Sequence, residues 1–208
     1  MPISDRDYYR EHYKSTPKPS RIYRGFSLNA MWYLVGINII LFIATIINDR
    51  FIIFFFGLHP AGFLERPWTI VTNLFIHGGL WHILFNMITL YFFGSFLTRL
   101  VGTRSFLIIY FLGGLLGNIF YMLLAPPLSI AIGASGAIFA LGGTLAVLTP
   151  KLRVLVFFIV PLPLWVAVIG MFFVISLSAG VAWQAHLGGL VFGLAAGYLL
   201  RRRGRYYF

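Results

Sequence analysis

Cysteine is missing from this chain and acidic residues nearly are: there are 5 in 208, none of them after Glu65. Each shortage closes a class of chemistry. Without cysteine there is no disulfide framework and no thiolate, either as nucleophile or as zinc ligand, and the redox compartment leaves no trace in the composition. Without Asp or Glu beyond Glu65, the later part of the chain holds no carboxylate relay of the kind that moves protons through pumps and no HExxH zinc site. A serine triad there would have to borrow Asp49 or Glu65 from far upstream, so serine chemistry reduces to a serine–histidine pair. No metal site and no cofactor is expected.

Charge of either sign is scarce, at 10% of residues against about a quarter in soluble domains. Hydrophobic residues make up 60%. The 16 basic residues leave a net charge of +11. That excess suggests nucleic acid when it clusters on one soluble face. Here the cations fall between apolar runs, so a lipid bilayer is the expected partner and nucleic acid is not.

Long apolar runs indicate bilayer spans, and the expected fold is an all-α polytopic membrane protein with six transmembrane helices. The spans fall at about 30–48, 71–98, 105–125, 134–149, within 154–178, and 181–200. Pro126 and Pro127 stop the third and Pro150 closes the fourth. The start of the fifth is blurred by Pro161 and Pro163. Residues 51–68, "FIIFFFGLHPAGFLERPW", are broken by Gly57 and Pro60 and end in charge, which suits an interfacial or re-entrant segment. The chain thus divides into a polar tail (1–29) without a signal-peptide pattern, a membrane domain (30–200) and a basic tail (201–208).

With six spans, Lys14, Lys18, Arg21, Arg24, Arg99, Arg104, Lys151, Arg153 and the arginines from Arg201 onward share one side, and only Arg50 and Arg66 lie opposite. Positive residues prefer the cytoplasm, so both termini are expected inside. The localisation expected is multi-pass, in the plasma membrane of a prokaryote.

Few polar groups remain in the spans: His77, His82, Asn86, Asn118, Ser135 and His186 stand out. Ser135 sits in "GASG", between Gly133, Ala134 and Gly136 at a helix start, where a hydroxyl serves as nucleophile or as cap and packing residue. His186 lies about five residues into the sixth span, so both groups reach one depth near the outer side, 51 positions apart. Gly189, Gly193 and Gly197 repeat every fourth residue on the face of His186. Such a stripe lets helix backbones approach closely, which is packing on its own account and also brings imidazole towards hydroxyl. His82 and Asn86 share a face four residues apart; they suit either an interhelical hydrogen-bond network or donors to a developing oxyanion. His77, about 140° from His82 on a continuous helix, is expected to point elsewhere.

On three motifs in order, "HGGLWHILFN" (77–86), "GASG" (133–136) and "AHLGGLVFG" (185–193), the chain resembles the rhomboid intramembrane serine proteases. The resemblance implies a six-helix rhomboid bundle, with Ser135 as nucleophile and His186 as its general base. It assigns His82, Asn86 and the Ser135 backbone N–H to the oxyanion hole, and Gly133 to the motif before the nucleophile. It implies transmembrane proteins as substrates, cut near the outer membrane face through an acyl-enzyme and preferably where helix-destabilising residues open the backbone. The family often carries Trp-Arg in its first loop, where this chain has Trp68-Thr69. Many members carry Tyr four residues after the nucleophile, where this chain has Phe139, able to stack on His186 but without a hydroxyl. Two other readings stand beside the protease: a non-catalytic rhomboid-like binding protein and, with less support, a small-solute transporter.

Overall fold

A computed structural model describes residues 27–156, 159–178 and 180–202. Most of the tail expected over 1–29, and the C-terminal tail from residue 203 on, lie outside the described residues. The chain is predominantly helical. Helix α1 is Ser27–Ile47. Asn48 then accepts the Phe51 N–H at 3.1 Å and caps the short α2, Asp49–Phe56. A turn at Pro60–Gly62, the one-turn helix α3 (Thr69–Thr72) and a 3₁₀ turn (Asn73–Phe75) lead to α4, Leu80–Val101. Helix α5 is Thr103–Leu124 and α6 is Ser135–Leu148. Two strands, β1 (Arg153–Val156) and β2 (Val160–Pro163), precede α7, Leu164–Ser176, and α8, Trp183–Arg202.

Among the described residues, α1, α4 and α5 are long and apolar enough to cross a membrane. Their outer faces suit that setting. Ile37, Ile39, Ile40, Ile43, Ile46 and Ile47 of α1 are all exposed, a contiguous apolar surface that water does not tolerate. Helices α6 and α7 are apolar but only 14 and 13 residues long, short of the roughly 20 that a full crossing needs.

Two expectations need correction, the unbroken second span and the strictly all-α fold. The second span does not run unbroken from 71. The chain leaves the helix at Ile76, passes Gly79 in an extended conformation and starts α4 only at Leu80. The fifth span, expected within 154–178, begins at Leu164, because Arg153–Val156 and Val160–Pro163 pair as an antiparallel ribbon, with Val154 opposite Leu162 and Leu155 opposite Pro161. A proline pushes the residue before it out of the helical region, so Pro161 and Pro163 hold Val160 and Leu162 extended and delay the helix until the second proline has passed. The fold therefore carries a small β-ribbon and is not strictly all-α. In the first loop α2 has 8 residues, none buried, too few to cross a bilayer, in keeping with the interfacial reading of 51–68. Its last three carbonyls are closed by side chains from further along. Arg66 Nη1 donates to Phe54 O, Trp68 Nε1 to Phe55 O at 2.9 Å, and Thr72 Oγ1 to Phe56 O at 2.9 Å. The Arg66 guanidinium also lies 4.0 Å over the Phe54 ring.

The centre of the molecule is α6, almost wholly buried. Helices α5 and α8 lie against it at backbone distance. A Cβ on Gly189 would strike the carbonyl of Gly136, one on Gly193 the carbonyl of Ala140, and one on Gly197 would come to 2.9 Å from Thr144 O. On the reciprocal small residue Gly143 a Cβ would lie 3.0 Å from Leu190 O. Thr144 Oγ1 is placed to bridge its own turn and the neighbour, 2.8 Å from Ala140 O and 3.0 Å from Gly193 O. On the other side of α8, a Cβ on Gly188 would lie 2.7 Å from Leu116 O of α5.

Gly193→Ala drives a methyl into the Ala140 carbonyl, and overpacking of this kind costs about 1–3 kcal/mol. Gly170→Ala in α7 meets nothing within 4 Å and gains helix propensity of up to about 1 kcal/mol. Thermal unfolding in detergent is expected to fall for the first variant and to hold or rise for the second.

Candidate functional site

The approach to Ser135 is held by backbone. Leu58 and Ala131 exchange two hydrogen bonds of 2.9 Å, tying the first loop to the strand-like segment before α6. Gly133 follows at φ +116°, a conformation that a side chain resists. A Cβ there would also sit 2.6 Å from His82 Nε2. The Gly133 N–H donates to Asn73 O at 2.9 Å. This turn delivers Ser135 as the first residue of α6. Its N–H has no intrahelical acceptor at that position and lies at the positive end of the helix dipole.

Ser135 is half-buried and His186, in the first turns of α8, is 3% exposed. Ser135 Oγ and His186 Nε2 are 2.8 Å apart. The pair meets because Gly189 and Gly136 let the two helices touch one turn away. The Phe139 ring packs on the imidazole at 4.7 Å between centroids, tilted by 39°, so the stacking expected of this residue is present without a hydroxyl. The other ring nitrogen, Nδ1, lies 3.0 Å from Ser176 Oγ at the end of α7. Sequence reading missed Ser176, since a serine ending an apolar run carries no pattern of its own.

His82 and Asn86 stand on the first turns of α4, as their spacing suggests. Asn86 is buried; its Nδ2 donates to His82 O at 2.7 Å, and its Oδ1 has no partner. The His82 ring faces Gly133. His77 is the exception to expectation. It lies in the non-helical stretch before α4, fully buried, and its ring meets that of His82 edge-on at 4.9 Å. The helical angle that separated the two does not apply, because the helix has not yet begun.

Beneath the site, Asn73 and Asn118 form a reciprocal amide pair, Nδ2 to Oδ1 at 3.0 and 2.8 Å, and Asn118 Nδ2 also reaches Ile70 O at 2.6 Å. Asn118 stood out in the sequence. Asn73 did not, although an amide inside an apparently continuous apolar run was the available signal. The pair fixes Asn73, and through its carbonyl the Gly133 turn. Among the described residues no three His, Asp or Glu side chains gather as a metal site would require.

The family model of the rhomboid domain matches residues 64–203. The chain belongs to the rhomboid family. With its exposed apolar helices it is an integral membrane protein. Its relatives include Rhomboid protein 1, mitochondrial, of Saccharomyces cerevisiae, 27% identical over 88% of this chain and 57% of that protein. Rhomboid-like protease 3 of Toxoplasma gondii is 29% identical over 71% of this chain and 57% of the relative. Rhomboid protease GluP of Bacillus subtilis is 32% identical over 62% of this chain and 25% of the relative. The chain thus spans little more than half, or less, of these rhomboid proteins. The matched region takes in every site residue and leaves out α1 and α2.

Asn118→Leu leaves the Asn73 amide buried without its partner, which costs about 1–3 kcal/mol. Replacing both asparagines by leucine removes the stranded amide and leaves only the Ile70 carbonyl without its Asn118 donor. The double variant is expected to unfold at a higher temperature than the sum of the single losses implies.

Proposed function

We propose that this rhomboid-family protein is an intramembrane serine endopeptidase working through Ser135 and His186. The observation that carries the reading is the 2.8 Å contact between Ser135 Oγ and His186 Nε2 inside a helical membrane protein. Ser135 Oγ attacks the carbonyl carbon of a peptide bond while its proton passes to Nε2. The tetrahedral oxyanion takes hydrogen bonds from the Ser135 N–H, from an Asn86 Nδ2–H and from His82. Asn86 has two N–H groups and spends one on the His82 carbonyl, so the other is available. Collapse of the intermediate breaks the C–N bond, and Nε2 returns the proton to the leaving amine. Water, deprotonated by the same nitrogen, then releases the acyl group.

In this reading α1 and α4 to α8 form the six-helix membrane domain, spanning 30–200 with both tails cytoplasmic, in the plasma membrane of a prokaryote. The length of α6 supports the depth of the cut. Fourteen residues rise about 21 Å against a hydrocarbon core of about 30 Å. With its C-terminus at the inner boundary, Ser135 lies below the outer surface. The substrate is then a transmembrane protein cleaved near its outer end, where the backbone is unwound enough to offer a carbonyl.

The deciding experiment is labelling with a fluorophosphonate probe in detergent. The wild type is expected to label and to cleave a transmembrane substrate. Ser135→Ala is expected to lose both while unfolding within a few degrees of the wild type. Labelling that persists in Ser135→Ala sinks the nucleophile assignment, and a binding protein or transporter predicts none in either protein. Asn86→Ala is expected to lower kcat by about 10²-fold or somewhat less, the lower end of the range for one oxyanion donor, because two other donors remain.

The neutral imidazole is the form that accepts the Ser135 proton. Hence kcat/KM is expected to rise with pH as His186 loses its proton and then to stay level into mildly alkaline solution. A pH–rate profile with folding checked at each point tests this; activity that is highest in acid contradicts it.

A further inference from the structure

We infer that Ser176 is a positioning residue for His186, a third group at the site that takes the place an acid holds in a triad. The inference rests on the protease reading above. His186 is 3% exposed, so water does not serve both of its nitrogens. One nitrogen faces Ser135 Oγ at 2.8 Å and the other faces Ser176 Oγ at 3.0 Å. The ring's face is held by Phe139. The imidazole on α8 is thereby fixed from two directions: Ser135 and Phe139 on α6, and Ser176 on the last residue of α7.

The chemistry asks for such a group. For Nε2 to act as base its lone pair must face Ser135, so the ring proton must sit on Nδ1. That N–H donates to Ser176 Oγ. When Ser135 gives its proton to Nε2 the ring becomes an imidazolium, and both of its N–H groups then need acceptors. Ser176 Oγ has lone pairs to accept from Nδ1 throughout and neither gains nor loses a proton. A carboxylate at Nδ1 accepts only, and so dictates the tautomer. A hydroxyl also donates, so it holds the ring's orientation more firmly than its tautomer and stabilises the cation less. The chain has no acid after Glu65, and a neutral acceptor is what the local sequence supplies.

Three variants test this: Ser176→Ala, Ser176→Val and Ser176→Thr, the last keeping the hydroxyl in a side chain shaped like valine. Ser176→Ala and Ser176→Val are expected to lose about 3- to 10-fold in kcat, the scale of one neutral hydrogen bond, with KM unchanged and unfolding temperature near that of the wild type. Ser176→Thr is expected to recover most of the loss. The second readout is the ¹H–¹⁵N spectrum of the full chain labelled in its histidine rings, with His186→Gln used for assignment. The wild type is expected to show a slowly exchanging proton on His186 Nδ1, and Ser176→Ala to lose that protection. An alanine variant with wild-type kcat, a valine variant as active as the threonine one, or a wild-type His186 with bare Nδ1 overturns the inference. If the wild type neither cleaves nor labels, the protease reading has failed, and the spectra alone decide whether Ser176 holds the ring.

Discussion

The contact between the backbones of α6 and α8 sets the geometry on which the site depends. Helices in lipid gain little from apolar burial against each other, so their association relies on close fit. Here the fit is carbonyl against glycine: Gly189 on Gly136 and Gly193 on Ala140, with Gly197 beside Thr144 one turn further on. The Thr144 hydroxyl, within reach of acceptors on both helices, resists sliding by a turn. The reason for such stringency lies at the top of the pair. A hydroxyl–imidazole hydrogen bond survives only a few tenths of an ångström of error. Side chains at the interface would add several ångströms of soft spacing, whereas glycines leave the spacing to the stiff backbone.

A second constraint keeps the Gly133 turn in place where no regular structure does. Irregular backbone in a membrane protein needs its polar groups satisfied by protein. The Asn118 amide on the Ile70 carbonyl, the Asn73 carbonyl on the Gly133 N–H and the Leu58–Ala131 exchange meet that need. Each arises from a different part of the chain, so the glycine turn is held by α5, by the turn before α4 and by the first loop together. The result is a serine presented at a helix start with its N–H unclaimed by the helix, beside a histidine from α4.

Much of this was legible beforehand, and for physical reasons. Helix ranges follow apolar runs, and α1, α5, α6 and α8 begin and end within a few residues of those runs. The meeting of Ser135 and His186 follows from equal depth and from a glycine stripe sharing the histidine's face, both readable from spacing. What was illegible depended on partners distant in sequence. The late start of α4, by contrast, has a local signal that the apolar reading of 71–98 passes over: His77, Gly78 and Gly79 break the run, and a Gly-Gly pair marks a turn. Pro161 and Pro163 show that the apolar run is broken there, but not that Arg153–Val156 and Val160–Pro163 pair as strands. Ser176 and Asn73 are single polar residues whose importance lies wholly in what folds against them.

The capped end of α2 has a consequence for the first loop as a whole. A helix terminus ordinarily depends on solvent to complete its last carbonyls. Arg66, Trp68 and Thr72 complete those of Phe54, Phe55 and Phe56 from within the chain, while Phe51, Phe54 and Phe55 stay exposed. These three carbonyls therefore ask nothing of the solvent, and a bilayer that thins or thickens around the protein changes what the phenylalanines touch without taking away the donors that close the helix end.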